Sequence, residues 1–334
     1  MSAETIEPVE TRIERLAEML VPTRRGEGVT DGDLVTVARG YRMRAEAWNG
    51  LKPEGRHLAR IIAVQRRAVG EPVFSQTSAA VLHGLPLHAR ADPRVHLSAP
   101  ENGPGRSTAG VVRHRAPLGS EDVVEIGGLL CTAPDRTLLD LARFGAAETA
   151  TACADGFLRQ EFRVERRVDR IRLERWRERM LETLADMPGE RGVMRAREIV
   201  ELADPRIDSV LESVSHLYLR RLGFDVELQV PVVSRTGGTY FVDFEFLGLD
   251  LFGECDGKAK YLDEALRAGR SADELVYREK RRQDWITGST RKGMIRWGWP
   301  ETGTVHRFAR HLSACGLRIS RPPGPSRPRQ TWRG

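Results

Sequence analysis

Residues 240–257 read YFVDFEFLGLDLFGECDG, two runs that alternate apolar and polar residues around Gly248. An alternation with a period of two is typical of β-strands, and glycine favours a tight turn between them. The stretch therefore predicts a β-hairpin with strands at 240–246 and 249–255.

Acidic side chains of the two strands are predicted to share one face of this hairpin. A two-residue turn at 247–248 places Asp243 opposite Phe252 and diagonal to Glu254, with Asp256 on the same face. A slip of one residue would separate these side chains, because neighbouring residues of a strand point to opposite faces.

Clustered carboxylates repel one another unless a cation lies between them or water screens them. Mg²⁺, with Mn²⁺ as an alternative, takes carboxylate oxygens and keeps several waters, and Lys258 and Lys260 follow within four residues of Asp256. A metal-activated water beside a lysine is what phosphodiester hydrolysis requires. A polar strand face that is open to solvent explains the acids equally well. In the metal-free protein, the repulsion predicts that removal of the charge of Asp243 or Glu254 raises stability.

Patterns on both sides extend the hairpin to an α-β-β-β-α-β-α order. They predict a helix at 209–222, a strand at 226–233, the hairpin, a helix at 272–287, a strand at 294–299 and a helix at 305–312. Ser209 and Glu212 have the spacing of a capping box, which explains both residues as well as a role of Glu212 in the site does.

The rest of the chain divides into four further stretches. Residues 1–70 predict a helix, a hairpin at 34–43 and a second helix. Residues 71–160 predict a small α/β domain, in which Thr132 is the N-cap of a helix and His83, His96 and His114 are structural. Residues 161–204 are predicted to be a connector with an arginine-rich helix at 162–184. We interpret this helix as solvated and salt-bridged in preference to a helix that contacts nucleic acid. The basic, proline-rich tail at 317–334 is predicted to be disordered.

Composition excludes several classes of protein. The 334 residues carry 53 basic and 47 acidic side chains, a formal net charge of +6, and 40% are hydrophobic. These values do not fit an acidic disordered protein or a membrane protein, and they permit a polyanionic partner. The four cysteines form no CxxC motif and are predicted to be free thiols. The acidic N-terminus does not resemble a signal peptide, so a cytoplasmic location is expected.

Five spaced motifs between residues 205 and 315 match one known domain. They are SVLE at 209–212, YFVDF at 240–244, GECDGKAKY at 253–261, EKRRQD at 279–284 and RWGW at 296–299. This pattern resembles the very-short-patch-repair-like endonuclease domain of the PD-(D/E)XK superfamily. The resemblance implies a restriction-endonuclease-like α/β domain at 205–316 that cleaves DNA with Mg²⁺.

The resemblance also implies a role for each matched residue. Asp243 and Glu254 would ligate the metal, and Glu212 would be the helix acid of the site. Asp256 stands where the superfamily usually has its lysine, so Lys260 would take the basic position, with Lys258 and Lys280 as rival candidates. DNA contacts are expected from the basic residues Lys280, Arg281, Arg282 and Arg296.

Upstream motifs resemble a second family. FSQTSAAVLHGLP at 74–86, VRHRA at 112–116 and TAPDRTLLDL at 132–141 are similar to AbiEi-type antitoxin proteins of bacteria. The resemblance implies that 34–43 is the wing of a reduced winged-helix-like domain, with the glycine-rich segment 24–32 in the place of a recognition helix. The sequence therefore predicts an α+β protein with two alternative functions. It is either a DNA endonuclease or nickase, or a non-catalytic DNA-binding antitoxin or repressor with a cognate toxin.

Overall fold

The computed structural model describes residues 7–23, 33–99, 107–256 and 272–319. It confirms the predicted α+β class. The chain forms two compact units, Met1–Phe157 with Glu178–Ile199 and Leu158–Arg177 with Val200–Gly334. The finer division into five stretches stays a prediction. None of the helices within the described ranges combines the length and apolar character needed to cross a bilayer.

The first unit opens with a small helical and three-stranded region. Its elements are α1 (Val9–Met19), β1 (Val21–Pro22), β2 (Leu34–Ala38), β3 (Tyr41–Arg44), α2 (Ala45–Gly50) and α3 (Pro53–Gln65). The strands are ordered β1-β3-β2 and pair antiparallel. The predicted hairpin at 34–43 corresponds to β2 and β3. The glycine-rich segment 24–32 lies outside the described residues.

A five-stranded mixed sheet follows in the first unit, in the order β6-β5-β4-β8-β7. The elements here are β4 (Val73–Phe74), α4 (Gln76–Leu82), β5 (Val95–Ala99), β6 (Val111–Arg115), β7 (Val123–Ile126), β8 (Leu129–Thr132), α5 (Pro134–Phe144) and the start of α6 (Ala147–Phe162). The prediction that Thr132 caps α5 is wrong. Thr132 ends β8 and its hydroxyl bonds the Thr137 hydroxyl at 2.6 Å, while Ala133 takes the N-cap position.

The arginine-rich helix predicted at 162–184 is interrupted at its start by a tight hairpin. The elements are β9 (Arg163–Val164), β10 (Arg167–Val168), α7 (Arg170–Ala185) and α8 (Val193–Leu202). Glu165, in the turn, has φ of +54°. A left-handed residue cannot continue a right-handed helix, so α7 begins only at Arg170.

The second unit contains the predicted α-β-β-β-α-β-α order. Its elements are α9 (Val210–Arg221), β11 (Val226–Val233), β12 (Thr239–Phe246), β13 (Leu251–Cys255), α10 (Ala272–Thr290), β14 (Gly293–Trp297) and α11 (Val305–Ala314). The sheet order is β11-β12-β13-β14, antiparallel except for the parallel β13–β14 pair.

The hairpin between β12 and β13 differs in register from its prediction. Phe246 pairs with Leu251 rather than with Leu249, because four residues, 247–250, connect the strands. Within this connection Gly248 has φ of +78° and the Leu249 amide donates to the Phe246 carbonyl at 3.1 Å. The register is therefore displaced by two residues. A displacement by two keeps the paired side chains of 244–246 and 251–253 on their predicted faces.

The two faces of this sheet pack against different helices. On one face, the aromatic rings of Phe244, Phe246 and Trp297 pack together, and Trp297 contacts Phe308 of α11 with ring centroids 5.1 Å apart. On the other face, Phe252 packs with Ile286 of α10 in one buried apolar group. Glu254 shares the face of Phe252, and its ion-pair partners are Arg282 of α10 and Arg296 of β14.

Candidate functional site

Asp243 and Glu254 lie on adjacent strands, one residue beyond Phe244 and Gly253, the last pair of the β12–β13 ladder. Their partners come from different elements, because Gln229 joins Asp243 to Glu212 of α9, whereas Glu254 pairs with Arg282 of α10. The Asp243 carboxylate is anchored by the Cys255 amide, which donates to Oδ2 at 2.8 Å. The two predicted acids are close enough for the Glu254 carboxylate to raise the pKa of Asp243.

Glu212 stands at the N-terminus of α9, where it has both a capping and a site contact. Ser209 is the N-cap, and its hydroxyl accepts from the Glu212 amide at 3.2 Å. The Glu212 carboxylate accepts from the Ser209 hydroxyl at 2.7 Å and from the Asp208 amide at 3.1 Å. The prediction that Ser209 caps α9 is thus confirmed, whereas the predicted return contact to the Ser209 amide is wrong, because the Glu212 carboxylate accepts from the Asp208 amide instead.

Gln229 joins this helix end to the strand acid. Its Nε2 donates to Glu212 Oε2 at 3.0 Å and to Asp243 Oδ1 at 3.3 Å. Its φ is +51°, a conformation that costs a residue other than glycine about 1–2 kcal/mol. Sequence reasoning missed Gln229, because one neutral amide in a strand has no pattern of its own. The signal was its position in β11 beside a strand that carries an acid.

Glu254 belongs to a balanced set of charges that we term the acid–arginine cluster, defined as Glu254, Glu279, Arg282 and Arg296. Glu254 Oε1 is 2.7 Å from Arg282 Nη1, and Glu254 Oε2 is 2.7 Å from Arg296 Nη2. Glu279 of α10 pairs with both arginines. Two carboxylates and two guanidiniums leave this cluster with no net formal charge.

The four residues predicted to contact DNA fall into two groups. Arg282 and Arg296 point into the acid–arginine cluster, with side chains 20% and 28% exposed. Lys280 and Arg281 are exposed on α10. Only the second pair is presented to solvent without an ion-pair partner among the described residues.

The acid pair Glu212 and Asp243 is not balanced in the same way. Burial raises the pKa of Asp243 well above its ordinary value, and the neighbouring Glu212 and Glu254 carboxylates raise it further. Burial likewise raises the pKa of Glu212, against the opposing effect of its hydrogen bonds. Burial, followed by the Asp243 and Glu212 charges, also raises the pKa of the Cys255 thiol. Burial therefore disfavours the charged form of both acids, and no basic side chain among the described residues forms an ion pair with either of them.

The donors around these acids indicate which of them could hold a cation. A carboxylate oxygen has two lone pairs, and each oxygen of Asp243 and of Glu254 accepts one hydrogen bond or ion pair. Glu212 is nearly saturated, because its Oε2 already accepts two donors. Asp243 and Glu254 thus fit Mg²⁺, which is often bound by one or two carboxylates plus waters. The described ranges contain no group of three or more His, Cys, Asp or Glu side chains suited to a metal.

The remaining predicted site residues lie at the end of β13. Asp256 is half-buried, and its amide donates to the Trp297 carbonyl at 2.7 Å. Lys258 and Lys260 lie outside the described residues, so the position of the basic group stays a prediction.

The predicted structural histidines lie in the first unit. His96 and His114 are on neighbouring strands with Nδ1 and Nε2 2.8 Å apart, and His83 Nε2 donates to the Thr132 carbonyl at 2.7 Å. Burial lowers the pKa of His96 to about 4, so its ring is neutral at pH 7.

Comparisons with known proteins give two relatives. Over 203 residues the chain is 29% identical to "Uncharacterized protein MT2308" of Mycobacterium tuberculosis strain CDC 1551 / Oshkosh and to "Uncharacterized protein Rv2248" of strain ATCC 25618 / H37Rv. The shared region covers 59% of this chain and 67% of each relative. No family model and no solved structure matches the chain. The relatives' names state no activity, so the chemistry of the site is argued from its geometry.

Proposed function

We propose that the second unit is a Mg²⁺-dependent DNA endonuclease or nickase. The observation that carries this proposal is the meeting of three acids at the end of the β12–β13 ladder, where Asp243 neighbours Glu254 and is joined to Glu212 through Gln229. Buried, uncompensated carboxylates are costly unless a proton or a cation joins them. A divalent cation held by Asp243 and Glu254 would compensate the charge of the buried Asp243 carboxylate.

Each residue then has a distinct task. Asp243 and Glu254 would hold the ion. Glu212 would support Asp243 without binding the ion directly, because most lone pairs of the Glu212 carboxylate already accept hydrogen bonds. When bound, Mg²⁺ lowers the pKa of a coordinated water and stabilises charge on a phosphoryl oxygen. Lys258, Lys260 and Lys280 remain the candidates for the basic residue.

Arg296 supports a phosphate substrate. Its Nε is buried and has no hydrogen-bond partner within the described part of the chain. An unsatisfied guanidinium donor next to the acids favours an anionic acceptor, and a phosphate oxygen has the required chemistry. DNA is the phosphodiester that the motifs imply.

A second candidate function is a non-catalytic DNA-binding antitoxin or repressor. It is favoured by the two guanidiniums on Glu254, which neutralise that carboxylate and repel a cation. Under this alternative, the acid–arginine cluster stabilises a nuclease fold that is inactive. The protein would then bind a cognate toxin and be located in the cytoplasm.

Purified protein incubated with supercoiled plasmid and Mg²⁺, Mn²⁺ or EDTA tests the proposal. Wild-type protein should nick or linearise the plasmid with a divalent cation and not with EDTA. Asp243→Asn and Glu254→Gln should lower the rate by at least about a hundredfold, since each removes a ligand charge. Asp250→Asn, an exposed acid in the same hairpin, is the matched control and should cleave normally. Plasmid that is bound and left intact with both cations decides for the non-catalytic alternative.

A further inference from the structure

The hydrogen bonds of Gln229 have only one consistent orientation. Arg166, in the turn between β9 and β10, donates from Nη1 to Gln229 Oε1 at 3.1 Å. A guanidinium can only donate, so the carbonyl oxygen of the Gln229 amide must face Arg166. The Gln229 NH₂ group therefore faces Glu212 and Asp243 and offers one proton to each.

Arg166 is itself held in place from two sides. Its guanidinium lies 3.9 Å from the centroid of the Phe241 ring, and Nη2 is 3.9 Å from Asp208 Oδ2. Phe241 and Asp243 are two residues apart in β12, and Asp208 precedes Ser209, the N-cap of α9. The hairpin arginine is thus fixed against the same elements that carry the acids.

The neutral amide of Gln229 links the Glu212 and Asp243 carboxylates in a way that a positively charged side chain could not. A lysine or arginine between Glu212 and Asp243 would tie the two carboxylates together and cancel their charge. The Gln229 amide ties them together and leaves both negative charges available to a cation. The backbone at this point is unfavourable for glutamine, and asparagine adopts it more readily. The shorter asparagine side chain does not span the same three partners, so the reach of glutamine matters here.

We propose that Gln229 is a positioning residue that orients Asp243 toward the cation by linking it to Glu212, and that Arg166 fixes the orientation of the Gln229 amide. The effect on catalysis rests on the proposed nuclease function, whereas the positioning of the two acids does not.

Gln229→Asn separates the reach of the amide from the backbone strain. Its midpoint of thermal unfolding should equal or exceed that of the wild type, because asparagine tolerates the left-handed backbone. Its affinity for Mn²⁺, measured by calorimetry on the full chain, should fall at least about tenfold. Arg291→Asn is the matched control, since Arg291 has φ of +58° in an exposed turn and does not contact the acids. Wild-type Mn²⁺ affinity in Gln229→Asn would overturn the proposal.

A second measurement needs neither metal nor cleavage. The side-chain NH₂ protons of Gln229 are assigned by NMR from their absence in Gln229→Asn, and they should exchange with water at least about tenfold more slowly than those of an exposed glutamine. Arg166→Met should accelerate this exchange, and Arg167→Met, the neighbouring exposed arginine, should not. If the wild type binds no Mn²⁺ but shows this protection, the nuclease proposal fails and the positioning proposal stands. Exchange as fast as in an exposed glutamine contradicts the positioning proposal itself.

Discussion

Asp243 and Glu254 lie on neighbouring strands of one hairpin, yet their electrostatic surroundings differ. Asp243 has the buried Glu212 as a neighbour, and its donors within the described part of the chain are neutral, the Cys255 amide and the Gln229 side chain. Glu254 accepts from two guanidiniums. The same change of charge should therefore have different effects on stability at the two positions.

Glu254→Gln should destabilise the metal-free protein by about 2–3 kcal/mol, because it leaves two partly buried arginines with Glu279 as their remaining acid in the cluster. The corresponding change at the other acid, Asp243→Asn, should alter the free energy of unfolding by less than about 1 kcal/mol. It relieves the repulsion from Glu212, but the new side-chain NH₂ group is a donor that faces the donor of Gln229. Urea unfolding without divalent cations measures both values. Loss of either charge was expected to stabilise, and the ion pairs reverse that expectation for Glu254. A Glu254→Gln protein as stable as the wild type would show that the cluster contributes nothing.

At the scale of elements, the β12–β13 hairpin depends on one glycine that was not predicted to matter. A Cβ at Gly253 would lie against Trp297 Cη2 and Cζ3, closer than non-bonded atoms approach. Trp297 cannot move aside easily, because its Nε1 donates to Ser215 Oγ at 2.8 Å and its ring packs among buried aromatics.

Gly253→Ala should therefore lower the free energy of unfolding by about 2 kcal/mol through overpacking. Gly288→Ala is the matched control, because nothing lies within 4 Å of its Cβ position in α10. That change should raise stability by up to about 1 kcal/mol through helix propensity. Thermal unfolding of the two variants should give shifts of opposite sign, and shifts of the same sign would refute the packing argument.

The hairpin also shows what a sequence pattern can and cannot specify. Alternation placed Glu254 on the face of Phe252 correctly, because the side-chain period of a strand is two. It did not reveal that Val242 packs with Phe252 and Ile286 while Phe244 packs with Trp297, so the alternation of β12 is interrupted beside Asp243. The register could not be read, because Leu249 and Asp250 are as compatible with a strand as with the longer turn that they form. Arg166 was missed for a similar reason, since the helical periodicity of 162–184 hides the left-handed Glu165 that ends it.

At the scale of the whole molecule, the basic residues of α10 should dominate binding to DNA. Lys280 and Arg281 are exposed, while Arg282 and Arg296 are engaged with acids. The double change Lys280→Ala and Arg281→Ala should weaken binding to all sequences alike. It should also reduce the slope of log affinity against log salt by about 1–2, one counterion for each lost phosphate contact.

Fluorescence anisotropy with a labelled duplex at several salt concentrations measures this slope. Arg310→Ala is the control, because Arg310 is exposed on α11, the helix that packs on the opposite face of the sheet. An unchanged slope in the double variant would place the phosphate contacts elsewhere in the protein.

The two compact units do not follow the order of the chain. The chain enters the second unit at Leu158, returns to the first at Glu178 and enters the second again at Val200. A gene fragment that begins at residue 205 would encode every strand of the four-stranded sheet and yet omit Arg166. During synthesis on the ribosome, the first unit cannot be completed until residue 199 has emerged. The hairpin that carries Arg166 is synthesised before any strand of the four-stranded sheet that it contacts.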